Sequence, residues 1–183
     1  MIDFERWSRR AFLGLAVASA AACTQGRPVV LHGVDPCTAP GADTTGWKVA
    51  DAGPFQFSVP PGFQRRSGNG VDSYVGRWEG PGGRFVYFDW GLYSGSLGDY
   101  PARLRDAAEC TVEIGGHPAQ VARGMDAEGW RGSGPVHVAA AAWANVRPPN
   151  HLALIAASPA ASDAPVLVSI VRSVRFKPGE PRL

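Results

Sequence analysis

Val136-His137-Val138-Ala139-Ala140-Ala141-Ala142-Trp143-Ala144-Asn145-Val146 is the stretch that decides the fold, because its middle and its ends point to different structures. Four consecutive alanines favour a helix, since Ala has the best helix propensity. The β-branched and aromatic residues on either side favour a strand. Gly134-Pro135 before the stretch and Pro148-Pro149-Asn150 after it confine the segment to strand length. Read as a strand, it turns at the prolines and returns through His151 to Ala157 as an antiparallel hairpin.

Working outward, the same pattern recurs. Phe55-Gln56-Phe57-Ser58-Val59 alternates apolar and polar residues until Pro60-Pro61-Gly62 stops it. Tyr74 to Trp78 and Arg84 to Leu92 flank the turn-forming Glu79-Gly80-Pro81-Gly82-Gly83. Thr111 to Ile114 and His117 to Arg123 flank Gly115-Gly116, two residues that accept the positive φ angles of a tight hairpin. Asp99-Tyr100-Pro101 offers a cap and an early proline, which predicts a short helix from Pro101 to Ala108. After Ser158-Pro159, with Ser162 or Asp163 as cap, Val166, Leu167, Ile170, Val171 and Val174 recur at helical spacing. That predicts an amphipathic helix of about three turns, ending before Arg175-Phe176. The expected class is α+β: a mostly antiparallel sheet of six to eight strands, with a short middle helix and a C-terminal helix packed on it.

The 183 residues are 45% hydrophobic and include six Trp, which excludes a disordered or collagen-like chain. Although Arg outnumbers Lys 16 to 2, the net charge is only +2, too small to neutralise many phosphates, so no nucleic-acid partner is expected. The N-terminus is an export signal: Arg6, Arg9 and Arg10 precede a short apolar run from Ala11 to Ala22. Spanning a bilayer needs about 20 apolar residues, more than this run supplies. Ser8-Arg9-Arg10-Ala11-Phe12-Leu13 resembles the twin-arginine export motif, with Gly14 where Lys is usual. Ala20-Ala21-Ala22-Cys23 resembles a bacterial lipobox, with Ala20 in place of Leu. The alternative is ordinary cleavage after Ala20 or Ala22. These resemblances imply a signal peptide over 1–22, a lipidated Cys23 with a tether to residue 45, and one domain over 46–183. Once Cys23 carries lipid, Cys37 and Cys110 remain as an even pair, expected as a disulfide in an oxidising compartment.

Phe55-Gln56-Phe57-Ser58-Val59-Pro60-Pro61-Gly62-Phe63 also resembles the opening strand and turn of the PsbP-like α/β sandwich proteins. The late strand Leu152 to Ala157, followed by a helix into Ser173-Val174-Arg175-Phe176, matches them as well. That resemblance implies an accessory or binding role and carries no catalytic residue over.

Catalytic patterns are sparse. Gly91-Leu92-Tyr93-Ser94-Gly95 has the wrong spacing for a nucleophile elbow. Gly68-Asn69-Gly70 and Gly132-Ser133-Gly134 lack the context of a phosphate loop. His32, His117, His137 and His151 are dispersed, and Asp72, Asp89 and Asp99 belong to no calcium loop, so neither metal nor cofactor is expected. One strand is unusual on both faces. Val86, Phe88, Trp90 and Leu92 fall on one side as core, while Phe85, Tyr87, Asp89, Gly91 and Tyr93 make an aromatic row around one carboxylate. Phe85, Tyr87, Asp89 and Tyr93 are therefore a candidate ligand platform.

The expected protein is a lipoprotein of the bacterial cell envelope, held to a membrane by its anchor. It would act as a non-enzymatic binding or accessory module for an envelope protein or a cell-wall glycan ligand. The alternative is a small exported hydrolase with a site around Asp89 and His137. Replacing Arg9 and Arg10 with Lys is expected to strand a full-length precursor in the cytoplasm, read by fractionation; continued export through the general secretory route would overturn this. Cys23→Ala is expected to release the chain from membranes or leave it unprocessed, which intact-mass analysis of the membrane fraction checks.

Overall fold

The computed structural model describes residues 35–66, 68, 70, 72–129, 132 and 134–178. Arg9, Arg10, Cys23 and His32 lie outside the described residues. In chain order the elements are β1 (Lys48–Asp51), β2 (Phe55–Val59), β3 (Gln64–Arg66), β4 (Tyr74–Glu79) and β5 (Phe85–Gly91). A one-turn helix α1 (Tyr100–Arg103) leads to β6 (Arg105–Ile114), β7 (His117–Asp126), β8 (Val136–Arg147) and β9 (Asn150–Ser158). Helix α2 (Ala164–Arg172) and β10 (Arg175–Phe176) follow.

Seven strands form one antiparallel sheet in the order β3-β4-β5-β9-β8-β7-β6, and β1, β2 and β10 form a smaller one. The fold is thus mostly antiparallel sheet with few helices, and the hairpins β4–β5, β6–β7 and β8–β9 stand where the sequence puts them. Gly115 and Gly116 turn the β6–β7 hairpin with φ of 64° and 82°. Strands beyond the expected six to eight are the short β1, β3 and β10, of four, three and two residues, too short to show a period.

The pleat gives the large sheet two faces. On the first, Phe88 and Trp90 of β5, Leu152 and Leu154 of β9 and Trp143 of β8 are fully buried beneath α2 and the small sheet. Phe55 of β2 meets Phe88 edge-on with centroids 5.0 Å apart, and Phe57 meets Trp78 at 5.1 Å. Helix α2 adds Leu167, Val168, Ile170 and Val171. Its nine residues make about two and a half turns, because Ala161–Asp163 is a 3-10 turn. Asp163 does not cap α2 through its side chain; its Oδ2 accepts bonds from Ser158 Oγ at 2.6 Å and Arg84 Nε at 2.7 Å. Burial raises the Asp163 pKa, but the bonds from Ser158 and Arg84 outweigh it and hold the carboxyl below its ordinary value.

The middle helix is shorter than the sequence predicts. It stops at Arg103, and the chain enters β6 at Arg105, pairing with Met125 of β7. A bulge between Arg105 and Ala108, with Asp106 at φ 52°, marks the change of conformation. Ladder pairing with β7 along 105–114 outweighs the local helical signal.

The segment expected as tether is fastened to the domain from Asp35 onward. Cys37 and Cys110 form a disulfide with Cα atoms 6.0 Å apart. Arg172 donates to the carbonyls of Pro36 and Ala39, both at 2.7 Å, and Ser169 Oγ accepts the Ala42 N–H at 2.8 Å. The bridge closes a loop spanning 73 residues. Replacing Cys37 and Cys110 with Ser is therefore expected to lower stability by about 4 kcal/mol on the chain-entropy model, read by urea unfolding. A loss under about 1 kcal/mol would leave the strap's other bonds as its main fastening.

Candidate functional site

The second face of the large sheet is floored by small and branched side chains. Asp89 pairs with Ala153, Tyr87 with Ile155 and Phe85 with Ala157 across β5 and β9. Ala142, Ala140 and Val138 continue those rows onto β8. Residues 92–104 cross this face as a partial cover: Leu97 packs with Ala122, Ala140 and Ala142, and Leu104 with Phe85, Val136 and Val138. Tyr100 joins both clusters.

Beside this cover the face opens into a cleft of about 410 Å³. Its floor is Phe85, Val136, Val138 and Ile155, with Tyr87 alongside. Its rim comes from elsewhere: Tyr100 and Arg103 from α1, Asp126 and Gly129 from the end of β7 and the turn after it. An apolar floor with a few convergent polar groups, in a volume of a few hundred Å³, is how small-molecule sites are built.

The rim is internally braced. Asp126 Oδ1 accepts the N–H groups of Glu128 at 3.1 Å and Gly129 at 3.0 Å, which fixes the turn leaving β7. Its Oδ2 accepts the Tyr100 hydroxyl at 3.4 Å, tying that turn to α1. Burial, then the charge of Asp126 and its hydrogen bond, push the Tyr100 phenol above its ordinary pKa, with Arg103 opposing weakly. Tyr100 is therefore a neutral donor. Arg103 Nη2 lies 3.8 Å from Glu128 Oε2.

The aromatic row expected along β5 is only partly assembled. Phe85 and Tyr87 line the cleft. Asp89 sits farther along the strand, where its Oδ1 accepts the Ser94 hydroxyl at 2.9 Å. Gly91 leaves no gap in the row, since a Cβ there would lie 2.7 Å from Ser73 Cβ. Strand β5 ends at Gly91, so Tyr93 falls in the following turn, 84% exposed and off the row. Leu92, expected in the core, is 49% exposed for the same reason.

Asp89 and His137 are not brought together. Asp89 pairs with Ala153, and Ala153 with Ala142, so its row reaches β8 five residues from His137. Five is odd, which places the two side chains on opposite faces, roughly 16 Å apart along the strand. Elsewhere, His117 stacks edge-on with Phe176 at 5.1 Å, and His151 Nδ1 accepts the Asn145 N–H at 3.0 Å. Asp35, Cys37 and Cys110 meet, but both sulfurs are bonded to each other and offer no thiolate to a metal.

Sequence reading missed Tyr100, Arg103, Asp126, Gly129, Val136, Val138 and Ile155 as lining of the cleft. Strand parity could have found Val136 and Ile155, because both share the face of Tyr87. The α1 residues carried no signal beyond Asp99-Tyr100-Pro101. No protein-family model matches the chain, and no curated protein matches it.

A raised tyrosine pKa has a definite linkage sign. The contribution of protonated Tyr100 to stability is complete below the ordinary tyrosine pKa and is lost as pH rises through its folded value. Spectrophotometric titration of the four tyrosines is expected to show one delayed ionisation that Tyr100→Phe removes. A delayed step that survives the substitution would show that Tyr100 is not its source.

Proposed function

We propose that the chain is an exported, lipid-anchored accessory protein of the bacterial cell envelope, an α+β domain of the PsbP-like kind. Its role is to bind an envelope protein or a cell-wall glycan ligand in the cleft on the second face of the large sheet. The single observation that carries this reading is the cleft itself. Its floor is apolar, its rim is polar, and Asp126, the one acid among its described lining residues, is occupied in bracing the turn and α1. A carboxylate held by three donors serves positioning better than proton transfer. The disulfide between Cys37 and Cys110 supports an oxidising location, as the twin-arginine and lipobox resemblances do. Cys23 would supply the membrane attachment, with the strap at Asp35 to Ala42 setting where the tether leaves the domain.

The test is cosedimentation of the full chain with purified cell-wall material. Ile155→Trp, which fills the cleft floor, is expected to weaken retention about tenfold, while Val49→Glu on the exposed face of β1 leaves it unchanged. Equal retention of wild type and Ile155→Trp, with both folded by circular dichroism, would remove the cleft from the binding role.

A further inference from the structure

Among the described residues, the cleft is lined by two charges of opposite sign, Arg103 and Asp126, and their surroundings differ. Asp126 is 8% exposed and already accepts two backbone N–H groups and the Tyr100 hydroxyl. Little of its accepting capacity remains for a ligand. The side chain of Arg103 is 57% exposed, and its ion pair with Glu128 is long, at 3.8 Å, to a carboxylate that is itself 82% exposed. Such an exposed surface pair contributes little, so an entering anion displaces it at small cost. A guanidinium offers that anion two parallel donors. Arg77, whose guanidinium lies 4.4 Å from the centroid of the Phe85 ring, is 3.0 Å from Glu79, which it shares with Arg66, and it does not line the cleft.

We propose that the cleft takes a small ligand with an apolar body ending in a carboxylate. Arg103 receives the carboxylate, and Val136, Val138, Ile155 and Phe85 receive the body. The Tyr100 hydroxyl commits its one proton to Asp126 Oδ2, which leaves Arg103 as the donor at that end. Burial of the body against the floor supplies binding free energy, and the guanidinium fixes which end points outward. This assignment rests on the reading of the cleft as a binding site and names the group, an apolar body with a carboxylate end, through which the ligand is held there.

Three probes that differ only in their end group test it: phenylpropionate, phenylpropanol and phenylpropylamine. They are titrated into the full chain with labelled Ile and Val methyl groups, and the shifts of Ile155, Val136 and Val138 are followed by NMR. Phenylpropionate is expected to bind about tenfold tighter than phenylpropanol, the difference a charge-assisted bond makes over a neutral one. Arg103→Gln is expected to erase that preference without weakening phenylpropanol, and Arg103→Lys to keep part of it. Equal binding of the three probes, tightest binding of the amine, or a preference that survives Arg103→Gln would overturn the carboxylate assignment and leave the cleft as a site. Absence of shifts at all three methyl-bearing residues with every probe would overturn the cleft reading itself.

Discussion

Four alanines at the centre of β8 are buried from both sides, and the layering of the molecule depends on their size. Ala139 and Ala141 face α2, while Ala140 and Ala142 face Leu97 of the covering segment. A sheet that is packed on one face only alternates apolar and polar residues, whereas one covered on both faces needs apolar residues throughout. Larger side chains here would push α2 off the first face or the cover off the second, since interiors tolerate little added volume. Alanine satisfies both constraints at once.

On the first face, that close approach lets α2 meet β8, β9 and β2 together, with the Phe55, Phe57, Trp78 and Phe88 rings filling the space beside it. The elements that return to this layer are distant in sequence, and each is tied down by polar contacts at its end. Asp163 joins the start of α2 to Ser158 at the end of β9 and to Arg84 before β5. Arg172 and Ser169 hold the N-terminal strap against α2, and Cys37 locks it to β6. Apolar packing supplies most of the driving force, and these contacts fix which surfaces meet.

On the second face, the cover is incomplete because α1 is short. The segment before α1 places Leu97 over the alanines, the single helical turn adds Tyr100 and then releases the chain into β6, so Phe85, Val136, Val138 and Ile155 are left lining an open cleft. Had the helix run on to Ala108, β6 would have lost its first pairs with β7. The cleft is therefore a consequence of the competition between helix and ladder at residues 104 to 108. The Tyr100 to Asp126 bond then links the cover to the end of β7 and gives the rim a fixed shape.

Several features followed from local sequence alone. Alternation in Phe55 to Val59, the paired glycines at 115 and 116, and the prolines around 148 each specify strand or turn through short-range sterics, and all three hairpins stand where they were read. The cysteine pair was legible from parity of number. That Phe85 and Tyr87 share one face was legible from strand period, and both line the cleft. Where α1 ends, where β5 ends, and hence the positions of Leu92 and Tyr93, were decided by tertiary structure, because ladder bonds to β7 and packing around Ser73 lie outside any local window. The separation of Asp89 from His137 and the meeting of Tyr100, Arg103 and Asp126 were decided there too. Strand register sets the first and the path of residues 92–104 across the sheet sets the second, and both are fixed by long-range burial rather than by the identity of neighbouring residues.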